Sequence, residues 1–266
     1  MLELYHADTA VCAAKVRVVL AEKGLAYTGH MLDLGRGDQF APDYMKLNPN
    51  AVVPTLVHDG AVITESTVIC EYLDESFAPV PLRPQTPLGR ARMHGWTKRE
   101  DTIHDAINTV TVAILFRGEL MLKTPEERQA RYGRIPDPAR REKWRNIIEQ
   151  GLEARYVDEA MARFARLFRD MNGALATGPW LLGETFTLAD SGLISFFYRL
   201  EMLGLSRCWT DGFQGVADWF ERCKARPSFN TAIGQFIGPD KHAHYARFVE
   251  PVRPQAEAAF SRVMAA

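Results

Sequence analysis

The stretch NPNAVVPTLVHDGAVITESTVICEYLDES, residues 48–76, decides how the chain begins to fold. Residues 55–57 and 61–63 are short runs rich in β-branched side chains, separated by His58-Asp59-Gly60. An Asp-Gly between two such runs predicts a hairpin, because both turn residues tolerate positive φ. Residues 66–76 follow with Val68, Ile69, Tyr72 and Leu73 on one helical face. The stretch therefore spells β-β-α, with Pro54 standing just before its first strand.

Working outward, residues 2–6 read as a strand, residues 7–11 as a loop, and residues 13–23 as a helix carrying Val16, Val19 and Leu20 at helical spacing, with Gly24 where a C-cap belongs. A strand near residues 27–32 completes a β-α-β unit, which implies a right-handed crossover and two parallel strands. On the other side, Pro79, Pro81, Pro84 and Pro87 form a stiff linker. Beyond it the patterning is helical: residues 88–117, a charged stretch 138–171, then 188–203, 213–225 and 229–235. Thr124-Pro-Glu-Glu127 and Thr187-Leu-Ala-Asp190 read as capping boxes or their Asp variant. The tail from 238 contains three prolines and a short helix candidate at 255–264. The expected organisation is an α/β domain at 1–79, a linker at 80–87 and an all-α domain at 88–266.

Composition narrows the function. Across 266 residues, 32 Lys and Arg stand against 33 Asp and Glu, so no bulk field draws the chain to nucleic acid or an anionic membrane. The balance hides an asymmetry, since the first 80 residues hold 5 basic and 11 acidic side chains and the remainder carries the opposite surplus. Cys12, Cys70, Cys208 and Cys223 lack CxxC or Cys/His ligand spacing, which argues against zinc and against a disulfide framework and suits the cytoplasm. No basic leader opens the chain, and no apolar run approaches the roughly 20 residues that span a bilayer.

Three motifs in order carry a family resemblance. Residues 15–25, KVRVVLAEKGL, resemble the first helix of the glutathione transferases. Asn48-Pro49 through Val53-Pro54, then residues 65–73, ESTVICEYL, resemble their glutathione-binding segment, and Thr187-Leu-Ala-Asp190 resembles the capping box of their sixth helix. The resemblance implies a thioredoxin-like amino-terminal domain, a helical carboxy-terminal domain that helps form an apolar acceptor pocket, and a homodimer. Residues 64–73, Ile135-Pro136 with Pro138, and Lys143-Trp144-Arg145 look most like the bacterial β-etherases that cleave lignin-derived aryl ethers with glutathione.

By that resemblance glutathione is a co-substrate, its partner is a hydrophobic or aromatic electrophile, and no metal is needed. The Val53-Pro54 bond is expected to be cis, presenting the Val53 backbone to the cysteinyl part of glutathione; the plainer alternative is a trans proline opening an edge strand. Ser66 and the helix amides would receive the γ-glutamyl carboxylate, Glu65 would help position that end, and Gln39 matches a contact to the glycyl carboxylate. Without a ligand, Ser66 reads as an N-cap and Glu65 as a dipole partner. The thiol must ionise to become a nucleophile. At the position where the family places a serine or cysteine, this chain has Ala10, which leaves Thr9, Cys12 or the helix amides to lower the thiol pKa. His94, His104 and the His242-x-His244 pair read as structural, as do Trp96, Phe116, Trp144, Phe197 and Tyr198.

Overall fold

A computed structural model gives the structure of the protein and describes residues 1–265. Strands β1 (Leu2–His6), β2 (Thr28–Met31), β3 (Thr55–His58) and β4 (Ala61–Ile63) form one sheet in the order β2-β1-β3-β4. β1 runs parallel to β2, with Leu4 opposite Gly29, and antiparallel to β3, with Leu4 opposite Leu56. The β3–β4 hairpin turns through Asp59 at φ 49° and Gly60 at φ 86°, the double positive φ expected of Asp-Gly.

Helix α1 (Val11–Glu22) crosses between β1 and β2, and residues 13–20 are buried on every side, including Lys15 and Arg17. It ends in a Schellman arrangement: Gly24 at φ 63° donates to the Ala21 carbonyl and Leu25 to the Leu20 carbonyl. A short 3-10 turn at Asp38–Phe40 and helix α2 (Pro42–Leu47) fill the β2–β3 connection, where the sequence reading had placed no element. Helix α3 (Ser66–Ser76) buries Ile69, Cys70, Leu73 and Asp74. The Asp74 carboxylate accepts from Lys23 Nζ at 3.0 Å and from the Leu82 N–H at 2.7 Å, tying the proline-rich segment to α1 and α3.

The rest of the chain is helical: α4 (Pro87–Thr111), a π-helical turn (Val112–Phe116), α5 (Arg117–Met121), α6 (Pro125–Gly133), α7 (Pro138–Gln150), α8 (Arg155–Ala174), α9 (Leu188–Met202), α10 (Arg207–Thr210), α11 (Gln214–Lys224), α12 (Pro227–Ala232), α13 (Pro239–Val249) and α14 (Arg253–Ala265). Three expectations are corrected. The charged stretch 138–171 is two helices, parted at Gly151, whose φ of 62° no ordinary helix interior accommodates and over which the Arg117 side chain lies. The helix placed at 229–235 is α12, which opens on Pro227 and stops at Ala232, followed by a 3-10 turn. The tail carries two helices, α13 and α14, where one short helix was expected.

Two compact units result. One comprises residues 1–100, 177–195 and 219–238; the other comprises 101–176, 196–218 and the described residues from 239 onward. In the second, Phe168 of α8 gathers Phe164, Phe197, Trp209, Phe213 and Phe260 at ring-centroid distances of 5.4–6.0 Å. In the first, Asp190 is fully buried and accepts from the Leu181 and Thr187 N–H groups, Thr187 Oγ1 and Trp219 Nε1. Burial pushes its pKa up to about 6 against the pull of those bonds. His242 pairs with the Tyr198 hydroxyl and His244 with Glu119. Among the described residues no cluster of three metal-binding side chains occurs, and no helix is long and apolar enough to cross a membrane.

Candidate functional site

The loop between β1 and α1 is shaped from below by Arg17. Its guanidinium, 2% exposed, donates to the carbonyls of Ala7 (2.9 Å), Asp8 (2.9 Å) and Ala232 (2.7 Å), contacts His6 Nδ1 at 3.2 Å, and lies 4.0 Å over the Phe236 ring. Burial, with Arg17 and His30 adding to it, holds His6 down to about 4, so its imidazole is neutral at physiological pH and can accept from Arg17. Burial also lowers Arg17 itself to about 10. One cation thus orders the carbonyls just before α1 without reaching its first amides.

Those amides are left to other partners. Ala10 is the N-cap of α1, in extended conformation (φ −69°, ψ 117°), and its methyl group makes no capping bond; no acidic residue sits in the first turn. An uncapped helix end presents N–H groups and a positive dipole end to an anion. Thr9 and Cys12 flank Ala10, both half-buried, with the Thr9 N–H bonded to Asp8 Oδ1 at 2.6 Å. Ala10 packs on a small apolar cluster of Ala7, Ala13, Leu32, Tyr44 and Val53. The residue before Pro54 and the start of α1 are therefore neighbours.

The Val53-Pro54 bond is cis. Around it, Tyr44 Oη donates to the Val52 carbonyl and meets Thr55 Oγ1 at 3.0 Å, while Asn48 Nδ2 donates to the Val52 carbonyl at 3.0 Å and to Thr55 Oγ1 at 3.2 Å. Tyr44 and Asn48 fix this loop, and sequence reading had assigned neither a role. An aromatic hydroxyl four residues ahead of Asn48-Pro49 was the available signal.

At the start of α3 the N-cap is Glu65, not Ser66. Glu65 is exposed and held at φ 67°, a left-handed conformation uncommon for a residue other than glycine; Ser66 is the first helical residue. Here too the N-cap side chain makes no capping hydrogen bond, and no acid occupies the first turn. Lys15 connects the two helix starts, because its Nζ donates to Thr67 Oγ1 at 2.7 Å and pairs with Glu100 Oε2 at 3.1 Å. Burial opposes the ammonium, but Glu100 outweighs it and holds Lys15 above the ordinary lysine range. The neighbouring Cys70 thiol is pushed up to about 12 by burial and stays protonated. Gln39 lies on the 3-10 turn ahead of α2, with its Oε1 buried and without a hydrogen-bond partner. Ala10 and Val53 thus pack together, Lys15 ties α1 to the turn that holds Ser66 and Thr67, and Gln39 lies on the turn ahead of α2.

A family model for the glutathione S-transferase amino-terminal domain matches residues 11–76, and one for the carboxy-terminal domain matches residues 135–227, together more than half the chain. Protein LigF of Sphingobium sp. strain SYK-6 is 29% identical over 241 residues, covering 85% of this chain and 91% of its own. The crystal structure of that protein, described as a β-etherase, superposes with a TM-score of 0.79 at 28% identity, covering 88% of this chain and 99% of the other. The tetrachloro-p-hydroquinone reductive dehalogenase of Sphingobium chlorophenolicum is 27% identical over 240 residues, covering 87% of this chain and 95% of its own.

Proposed function

Because the chain belongs to the glutathione transferase family, we propose that it is a glutathione-dependent transferase acting on an aromatic electrophile, and specifically on β-aryl ethers of lignin type. The observation that carries the reading is the uncapped start of α1, with Ala10 packed beside Val53 ahead of the cis proline. The Val53 backbone holds the cysteinyl part of glutathione and the α3 start, Ser66 foremost, takes the γ-glutamyl carboxylate. The α1 amides stabilise the thiolate, Thr9 supplies the nearest hydroxyl in the sequence, and Cys12 stands in the same first turn. Glu65 and Gln39 steady the two ends of the peptide.

In the reaction the thiolate attacks the ether carbon beside a ketone, a C–S bond forms, the C–O bond breaks with its electron pair, and a phenolate leaves to take a proton from water. The protein contributes orientation and thiolate stabilisation. The ether assignment draws on likeness to the β-etherase, and the aromatic class also on the dehalogenase. We take residues 1–79 as the glutathione-binding domain, 80–87 as the linker and 88–266 as the acceptor domain of a cytoplasmic homodimer. Purified protein with glutathione and β-aryl ether ketones of both β-configurations is expected to release phenol and an equal amount of glutathione thioether. Absence of both products across the panel removes the ether assignment, while turnover of an activated aryl halide keeps the transferase. A Cys12→Ser variant is expected to retain turnover; its loss would move the thiol-activating role to Cys12.

A further inference from the structure

Lys15, like Arg17, sits inside the packed face of α1, its side chain 3% exposed, where an apolar residue would fit the pattern of Val16, Val18 and Val19. Two groups hold it there. Glu100 of α4, as deeply buried, pairs with it, and Thr67 Oγ1 in the first turn of α3 accepts a hydrogen bond from it. The neighbouring helix makes room for this pair: a Cβ at Gly192 of α9 would come within 2.0 Å of the Glu100 carboxylate. Removing one member would strand the other charge in the interior, whereas the intact pair fixes geometry through directed bonds that an apolar contact lacks.

The direction of that fixing matters. Thr67 directly follows Ser66, and Glu65 ahead of them is held at positive φ with no capping hydrogen bond from its side chain. The Lys15–Thr67 hydrogen bond is a direct polar link from α1 to this turn. We propose that Lys15 is a positioning residue for glutathione, setting the Ser66 turn of α3 in register with the amino end of α1 so that one peptide can reach both. This rests on the transferase reading and adds a role to residues that touch neither sulfur nor electrophile. A displaced γ-glutamyl end weakens ground state and transition state alike, so the expected signature is a change in KM without a change in kcat.

The test uses the full-length protein and glutathione itself. Thr67→Val keeps the Lys15–Glu100 pair and the side-chain volume, and is expected to raise the glutathione Kd and KM about tenfold with kcat at saturating glutathione unchanged. Thr67→Ser restores the hydroxyl and is expected to restore both constants. The double variant Lys15→Met with Glu100→Gln, which leaves no lone buried charge, is expected to match Thr67→Val. Wild-type affinity in Thr67→Val, failure of Thr67→Ser to rescue, or a fall in kcat as large as that in kcat/KM would each overturn the proposal. A wild-type protein that binds no glutathione at all would instead overturn the transferase reading beneath it.

Discussion

Helix starts are treated in two ways in this molecule. In the second unit, α6 closes its own amino end with a full capping box, Thr124 Oγ1 accepting from the Glu127 N–H at 3.2 Å and Glu127 Oε2 from the Thr124 N–H at 2.8 Å, and α7 is capped by Asp137 through the Ala139 N–H at 2.9 Å. In the first unit, α1 and α3 begin at Ala10 and Glu65, whose side chains make no capping hydrogen bond. A cap is worth about 1 kcal/mol to a helix, so leaving two starts bare in one place forgoes stability. Bare starts also occur at Ala154 ahead of α8 and at Ala41 ahead of α2, so the difference teaches through position: the α1 start packs beside Val53 ahead of the cis proline, and Lys15 ties the α3 start to the same helix.

The strongest way to break the comparison is to cap α1. Ala10→Asp is expected to raise stability by about 1 kcal/mol, read as an upward shift in Tm. Its carboxylate would repel the thiolate, and kcat/KM for glutathione is expected to fall about a thousandfold. A gain in stability with activity intact would show that the bare end serves no anion.

The loop feeding α1 is held by Arg17 and neutral His6 in place of a cap, which gives a pH signature. Because His6 is depressed to about 4 from an ordinary 6.5, the unfolded chain takes its proton first. Its contribution to stability is present above pH 6.5 and is lost as pH falls to about 4, a change of about 3 kcal/mol. Asp190, raised to about 6, slopes the other way over the same window, stability being lost as pH rises from about 4 to 6. The difference in unfolding free energy between wild type and His6→Gln across pH 4–7 isolates the histidine; a flat difference would contradict the assignment.

Smaller effects sharpen the contrast. Ala10→Ser adds a hydroxyl where the family usually has one and is expected to raise kcat/KM at neutral pH about tenfold in steady-state assays. Thr124→Ala is expected to cost about 1 kcal/mol in chemical denaturation and leave turnover unchanged.

Much of this was legible locally. The limits of β1 and α3 matched their sequence patterns, and Asp59-Gly60 formed its hairpin, because those signals lie within a few residues. Helix α2 was invisible because six residues opening on Pro42 carry too little periodicity to stand out. The break at Gly151 was hidden because helical charge spacing continued across it, and only a side chain from 34 residues upstream, Arg117, marks the place. Ala10 stood out at once as the missing hydroxyl. What no local pattern could show was the bracing: Lys15 meets Glu100 across 85 residues and Arg17 meets Ala232 across 215. Long-range polar contacts of this kind leave only a charge inside an apolar face as their trace.

The central claim is that the bare α1 start stabilises an anionic sulfur. Its most direct measurement is the pH titration of thiolate ultraviolet absorbance for glutathione bound to the wild-type protein. A bound thiol pKa at least about one unit below the free value near 8.5 is the predicted result. A bound thiol that titrates like free glutathione would contradict it.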